Sequence, residues 1–202
     1  MRGSAYYDKA YFDKWYRHPR HRVKSPADVA RQVRFIVGAT EYLLEQPVRS
    51  VLDVGCGEGN WLPPLRRLRP RVRYSGVDAS EYAVKRWGTR RNIQLGTFGS
   101  LGSLQLPAAF DLVLCLGVLM YVAPEELPAG LATIHALAAG VCYFEVFTSE
   151  DDATGDFKKS EMRPSRWWRR LFAEAGFVPC GMHLYLPRAL ARRASVLERG
   201  RP

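Results

Sequence analysis

No apolar run in this chain approaches the roughly 20 residues that span a bilayer, so no stretch reads as a membrane helix. No secretory signal opens it. Cysteine is scarce, and Cys56, Cys115, Cys142 and Cys180 are widely spaced with no C-x-x-C pair. Three of them sit in apolar or strand-like settings, which reads as free, buried thiols in a reducing cytoplasm. Acid is also short: 20 Asp and Glu stand against 30 Lys and Arg, a net charge of +10. Such a charge suits acidic or nucleic-acid partners. The arginines, however, are scattered over most of the predicted helices. Only Arg66, Arg67, Arg69, Arg71 and Arg73 form a dense group, and the bland reading is a solvated basic surface. At 202 residues the chain fits one domain with a sizeable core.

What is present centres on residues 51–59, Val-Leu-Asp-Val-Gly-Cys-Gly-Glu-Gly. Val51 to Val54 reads as the end of a buried strand. Gly55, Gly57 and Gly59 follow, then an apolar helical spacing at Trp61, Leu62, Leu65 and Leu68. Strand, glycine turn and helix form a nucleotide-binding βα unit, in which glycine lets the backbone approach a ligand. The spacing departs from the dinucleotide fingerprint, because Asn60 stands where its third glycine would be. Asp53 is a second departure. A carboxylate there repels a pyrophosphate and attracts a cation such as an α-ammonium, which points to a ligand half nucleoside and half amino acid.

With Asp53, Gly55, Gly57 and Gly59 the stretch matches D-x-G-x-G-x-G, and the sequence resembles the class I S-adenosylmethionine-dependent methyltransferases. The resemblance runs on through Val77-Asp78-Ala79-Ser80 and Phe110 to Cys115, and spans roughly residues 48–180. It implies an α/β, Rossmann-like domain with a mostly parallel seven-stranded sheet and helices on both faces. The implied strand order is 3-2-1-4-5-7-6 with strand 7 antiparallel. The implied cofactor is S-adenosylmethionine, with S-adenosylhomocysteine as product. Asp53, Gly55, Cys56, Gly57, Trp61, Asp78, Ala79, Thr97, Phe98 and Leu116 are the expected cofactor contacts.

Residues 1–24 form an aromatic segment ahead of a domain over 25–202. On a helix Tyr7, Tyr11 and Trp15 share one face, as do Phe12 and Tyr16. Two compatible readings stand: a helix packed on the domain, or a lid that contacts a sulfonium or a flat acceptor. Ser25, Pro26 and Asp28 signal a helix start, and Pro47 its end. Arg73 to Asp78 reads as the second strand, with Asp78 placed to accept ribose hydroxyls and Ser80 to cap the next helix. Asn92 to Leu95 is a short third strand. Thr97 then stands where the family often has an acid for the adenine amine, beside Phe98 to flank the ring.

Phe110 to Leu116 is the apolar fourth strand. The family's nucleic-acid and protein amide methylases carry an Asp/Asn/Ser-Pro-Pro-Tyr/Phe tetrad here, which this chain lacks, and Gly117 and Tyr121 stand where many small-molecule members carry an acid and a histidine. Pro128 to Ala139 reads as a helix closed by Gly140, and Val141 to Phe147 as the fifth strand. Glu145 within it is a pocket residue or a structural anchor. Tyr121 and Glu145 are the candidate catalytic groups. Residues 148–163 form an acidic loop whose Asp151 and Asp152 are candidate acceptor contacts, together with Tyr7, Tyr11, Trp15 and Tyr121. No Asp-Asn pair has metal-site spacing, so no metal is expected. Ser165 reads as the cap of a helix, Phe177 to Leu186 as a sixth strand region, and Ala194 to Leu197 as a final short strand.

The expected acceptor is a small molecule methylated on O, N, S or C by a monomer or homodimer in the cytoplasm. Two alternatives remain at this point: an RNA methyltransferase using the basic surface, and a protein that binds the cofactor without catalysis. Thr97, Gly117 and Tyr121 suggest the latter.

Overall fold

The computed structural model describes residues 6–152, 156–157 and 160–199. Seven strands form one sheet in the order β3-β2-β1-β4-β5-β7-β6. They are β1 (Ser50–Val54), β2 (Arg73–Asp78), β3 (Ile93–Leu95), β4 (Phe110–Leu116), β5 (Ala138–Glu145), β6 (Phe177–Pro179) and β7 (Leu184–Pro187). Pairings among β1 to β5 are parallel, and β7 runs antiparallel to both β5 and β6. The helices are α1 (Lys9–Phe12), α2 (Pro26–Leu44), α3 (Leu62–Leu68), α4 (Glu81–Arg91), α5 (Leu127–Leu137) and α6 (Ser165–Glu174). No helix among the described residues is long and apolar enough to cross a membrane.

Alternation along the central strands divides the core between the two faces of the sheet. Leu52, Val113, Cys142 and Phe144 join Leu131 and Ile134 of α5 and Trp168 and Phe172 of α6. Val51, Leu112, Leu114 and Val141 join Val33 and Ile36 of α2 and Leu62 and Leu65 of α3. Helix α2 starts with a reciprocal cap in which Ser25 and Asp28 satisfy each other's backbone amides. Ser80 accepts the Ala83 amide and caps α4, as its position in the sequence suggests.

Four expectations are corrected. Helix α5 ends at Leu137, and Gly140 lies inside β5 instead of closing a helix. A Cβ at Gly140 would collide with the Asp111 carbonyl, where the β4–β5 register shifts. The strand therefore begins at Ala138 and ends at Glu145, short of Phe147. Ser165 does not cap α6; its amide is taken by the Glu150 carboxylate at 3.0 Å. Ala194 to Leu197 forms no strand. The closing strands span residues 177–187, the expected Phe177 to Leu186 stretch and one residue more, folded back at Gly181, Met182 and His183, all with positive φ.

Candidate active site

The glycine turn leaves the carboxyl end of β1. Gly55, Gly57 and Gly59 all take positive φ, at 72°, 55° and 70°. A Cβ at Gly55 would collide with the Val118 side chain. A Cβ at Gly57 would stand 2.5 Å from the Tyr16 hydroxyl, so the N-terminal segment lies directly on the turn.

Asp78 ends the neighbouring strand. Its carboxylate accepts the Gly57 amide at 2.6 Å and the Ser80 amide at 2.8 Å. Burial raises its pKa, and the two amides oppose the shift. Asp53, 2% exposed, accepts the Tyr74 hydroxyl at 2.8 Å. Burial pushes Asp53 up to about 7; Tyr74 pulls it down and Asp78 adds to the rise.

The N-terminal segment is not one regular helix. Asp8 caps α1 through the Tyr11 amide, so Tyr7 precedes the helix. Asp13–Arg17 then widens into a π-helical turn. Such a turn brings residues five apart together, and Tyr11 and Tyr16, not Tyr11 and Trp15 alone, face the site. Burial raises both phenols, which therefore stay protonated donors. The segment is fastened at several points. The Ser80 hydroxyl donates to the Tyr7 carbonyl at 2.5 Å, and the Tyr6 hydroxyl to Asp156 Oδ2 at 2.6 Å. Arg17 pairs with the buried Glu58 of the glycine turn.

Two cavities open at this edge. The first, about 710 Å³ with its open mouth, is bordered by Asp78, Ala79, Thr97 and Phe98 on the strand side and by Tyr7 and Phe12 above. The second, about 1110 Å³ counted the same way, is bordered by Asp53, Cys56, Asn60 and Trp61, with Trp15, Phe147 and Phe157 among its aromatic walls. Tyr11, Tyr16, Gly55, Leu116, Gly117 and Tyr121 border both. All ten expected cofactor residues thus lie on one cavity or the other.

The candidate acceptor residues are placed unequally. Tyr121 stands on the shared wall, and its hydroxyl donates to the Asp156 carbonyl at 2.7 Å. Glu145 borders the second cavity, held by Lys24 at 2.8 Å and Gln32 at 2.7 Å. Asp151 and Asp152, expected as acceptor contacts, border neither of these two cavities. Asp151 instead accepts the Thr148 amide at 2.7 Å in an exposed turn. The acid of this loop that reaches the second cavity is Asp156, next to Phe157. Lys24 and Gln32 were not picked out by sequence reasoning, and Tyr16 and Asp156 only as members of the aromatic segment and the acidic loop. Lys158 and Lys159 of the loop lie outside the described residues. Among the described residues no group of three or more His, Cys, Asp or Glu is placed to hold a metal ion.

The model of a methyltransferase domain family matches residues 20–195. The chain belongs to that family. No curated protein matches this methyltransferase in sequence. Among solved structures, a SAM-dependent methyltransferase from Archaeoglobus fulgidus is similar at TM-score 0.61 and 19% identity, over 83% of this chain and 73% of that one. Magnesium protoporphyrin IX methyltransferase from Synechocystis PCC 6803 with bound SAM gives TM-score 0.59 and 21% identity, over 87% and 85%. A Burkholderia thailandensis 1,6-didemethyltoxoflavin-N1-methyltransferase, with that compound and S-adenosylhomocysteine bound, gives 0.54 and 24%, over 76% and 69%. At these identities the likeness is one of fold.

Proposed function

We propose that this methyltransferase uses S-adenosylmethionine and methylates an O, N, S or C nucleophile of a small molecule. The observation that carries the reading is the pair of cavities meeting at one wall. A ligand half nucleoside and half amino acid fits across it. The ribose suits Asp78, whose carboxylate has acceptor capacity beyond its two amide bonds. The amino-acid ammonium suits the buried carboxylate of Asp53. Phe98 flanks the base, and Thr97 stands near it in place of an acid. When bound, the cofactor supplies an activated methyl group.

The chain's own task is then alignment, since holding two reactants in line removes much of the barrier. Leu116 and Gly117 shape the shared wall. Tyr121 orients the acceptor there, and the rings of Tyr11, Tyr16 and Trp15 exclude water. Glu145 suits an anchoring role better than that of a base, because Lys24 and Gln32 already hold both its oxygens.

The test is methyl-labelled S-adenosylmethionine added with the protein to a soluble extract, followed by separation into low-mass, RNA and protein fractions. Label in the low-mass fraction is expected. Label in RNA would overturn the small-molecule acceptor, and tight cofactor binding with no label anywhere would favour a non-catalytic binding protein.

A further inference from the structure

Lys24 is the one cation among the described residues that border either cavity. Its side chain is 33% exposed, yet it turns inward onto Glu145, at 2.8 and 2.9 Å from the two oxygens. Gln32 completes the cluster: it accepts from Lys24 at 3.2 Å and donates to Glu145 at 2.7 Å. The Trp61 indole N–H reaches Gln32 only at 3.5 Å, a long and weak bond for a ring that is 4% exposed. Glu145 ends β5, Gln32 lies on α2, and Trp61 follows the glycine turn. Three separate elements therefore fix one ammonium and one loosely held donor on the second cavity.

An amino-acid ligand is zwitterionic. The same cavity offers Asp53 to its ammonium, and a carboxylate requires a cation or converging N–H donors in partial burial. We propose that Lys24 and the Trp61 N–H form the subsite for the α-carboxylate of the cofactor, with Glu145 and Gln32 as the residues that position Lys24. The inference rests on the cofactor reading above. The three donors of Lys24 fall on the two Glu145 oxygens and, at 3.2 Å, on Gln32. Exchanging the long Gln32 bond for the ligand lets Lys24 bridge two carboxylates, that of Glu145 on the protein side and that of the ligand on the cavity side. Glu145 holds the flexible lysine stem in place before the ligand arrives, and such preorganisation lowers the cost of binding. This accounts for an acid at the end of an otherwise apolar strand without assigning it a proton-transfer role.

The experiment compares two ligands by calorimetry: S-adenosylhomocysteine, which carries the carboxylate, and 5′-methylthioadenosine, which lacks the amino-acid end. Lys24→Met should weaken S-adenosylhomocysteine roughly 10- to 100-fold, the range for a lost charged hydrogen bond, and leave 5′-methylthioadenosine unchanged. Lys24→Arg should retain most of the preference. Glu145→Ala should lower the preference in the same direction, which a purely structural role would not do. Trp61→Phe removes only the N–H and should cost several-fold for S-adenosylhomocysteine alone; it serves if a lysine variant fails to fold. Unchanged S-adenosylhomocysteine affinity in Lys24→Met, or equal losses for both ligands, would overturn the subsite and leave the cofactor reading standing. A wild-type protein that binds neither ligand would overturn the cofactor reading and the subsite together.

Discussion

The Asp78 carboxylate accepts the Gly57 amide at 2.6 Å, so the tip of the second strand is tied to the turn that follows the first. One side chain therefore shapes the glycine turn and stands at the first cavity. Asp78→Ala is expected to weaken S-adenosylhomocysteine by ~1.5–3 kcal/mol, roughly ten- to a hundred-fold. It should also destabilise the fold by about 1–3 kcal/mol, because the Gly57 and Ser80 amides lose their acceptor. Denaturant unfolding and calorimetry on the same variant check both values. Unchanged affinity would remove Asp78 from the ribose.

Asp53 gives the site a pH dependence. With its pKa raised from 3.8 to about 7, the folded chain keeps a proton that the unfolded chain has released. Its contribution to stability therefore falls as pH rises through that window. An ammonium bound beside it favours the carboxylate, so ligand binding near pH 6 should release a proton. S-adenosylhomocysteine affinity is expected to rise from about pH 5.5 to about pH 8, and Asp53→Asn should flatten the curve. Calorimetry in two buffers of different ionisation enthalpy measures the released proton directly.

Gly130 of α5 packs against the Phe98 ring, and a Cβ there would overlap the ring edge. Phe98 is 2% exposed and also borders the first cavity. Gly130→Ala should cost about 1–3 kcal/mol, as overpacking does, and should weaken S-adenosylhomocysteine and 5′-methylthioadenosine alike. Wild-type affinity for both in a destabilised variant would show that Phe98 moves without disturbing the cavity.

The N-terminal segment is held by Arg17 on Glu58, Tyr7 on Ser80 and Tyr6 on Asp156. Cofactor is expected to slow hydrogen exchange in residues 6–22 as well as in the glycine turn. Arg17→Ala leaves Glu58 with Arg86 at 3.9 Å and should speed exchange across Lys9–Arg17. Protection confined to the glycine turn would make the segment ordinary packing and remove it from the site.

The glycine turn and Asp78 were legible because Asp53, Gly55, Gly57 and Gly59 follow an apolar strand in the D-x-G-x-G-x-G pattern and Asp78 is the acid that ends the next strand. The N-terminal segment was legible only as far as α-helical periodicity held. That period groups Tyr16 with Phe12, and their rings do lie 4.8 Å apart; what it does not show is that Tyr16, in the widened turn at Asp13–Arg17, borders both cavities together with Tyr11. In the acidic loop no period exists to separate Asp151 and Asp152 from Asp156. The choice follows from Tyr6, more than a hundred residues away in sequence, whose hydroxyl donates to the Asp156 carboxylate. The β6–β7 hairpin was read as one stretch because Gly181 is the one turn-forming residue type in its fold-back, while Met182 and His183 take positive φ without a residue type that announces it. Lys24 drew no notice because its partner Glu145 is 121 positions away.

The most direct test of the account is calorimetric titration of the purified chain with S-adenosylmethionine, S-adenosylhomocysteine and NAD. The prediction is one site per chain for the first two, in mutual competition, with NAD weaker by orders of magnitude. NAD binding with comparable affinity, or no binding of either sulfur nucleoside, would contradict it.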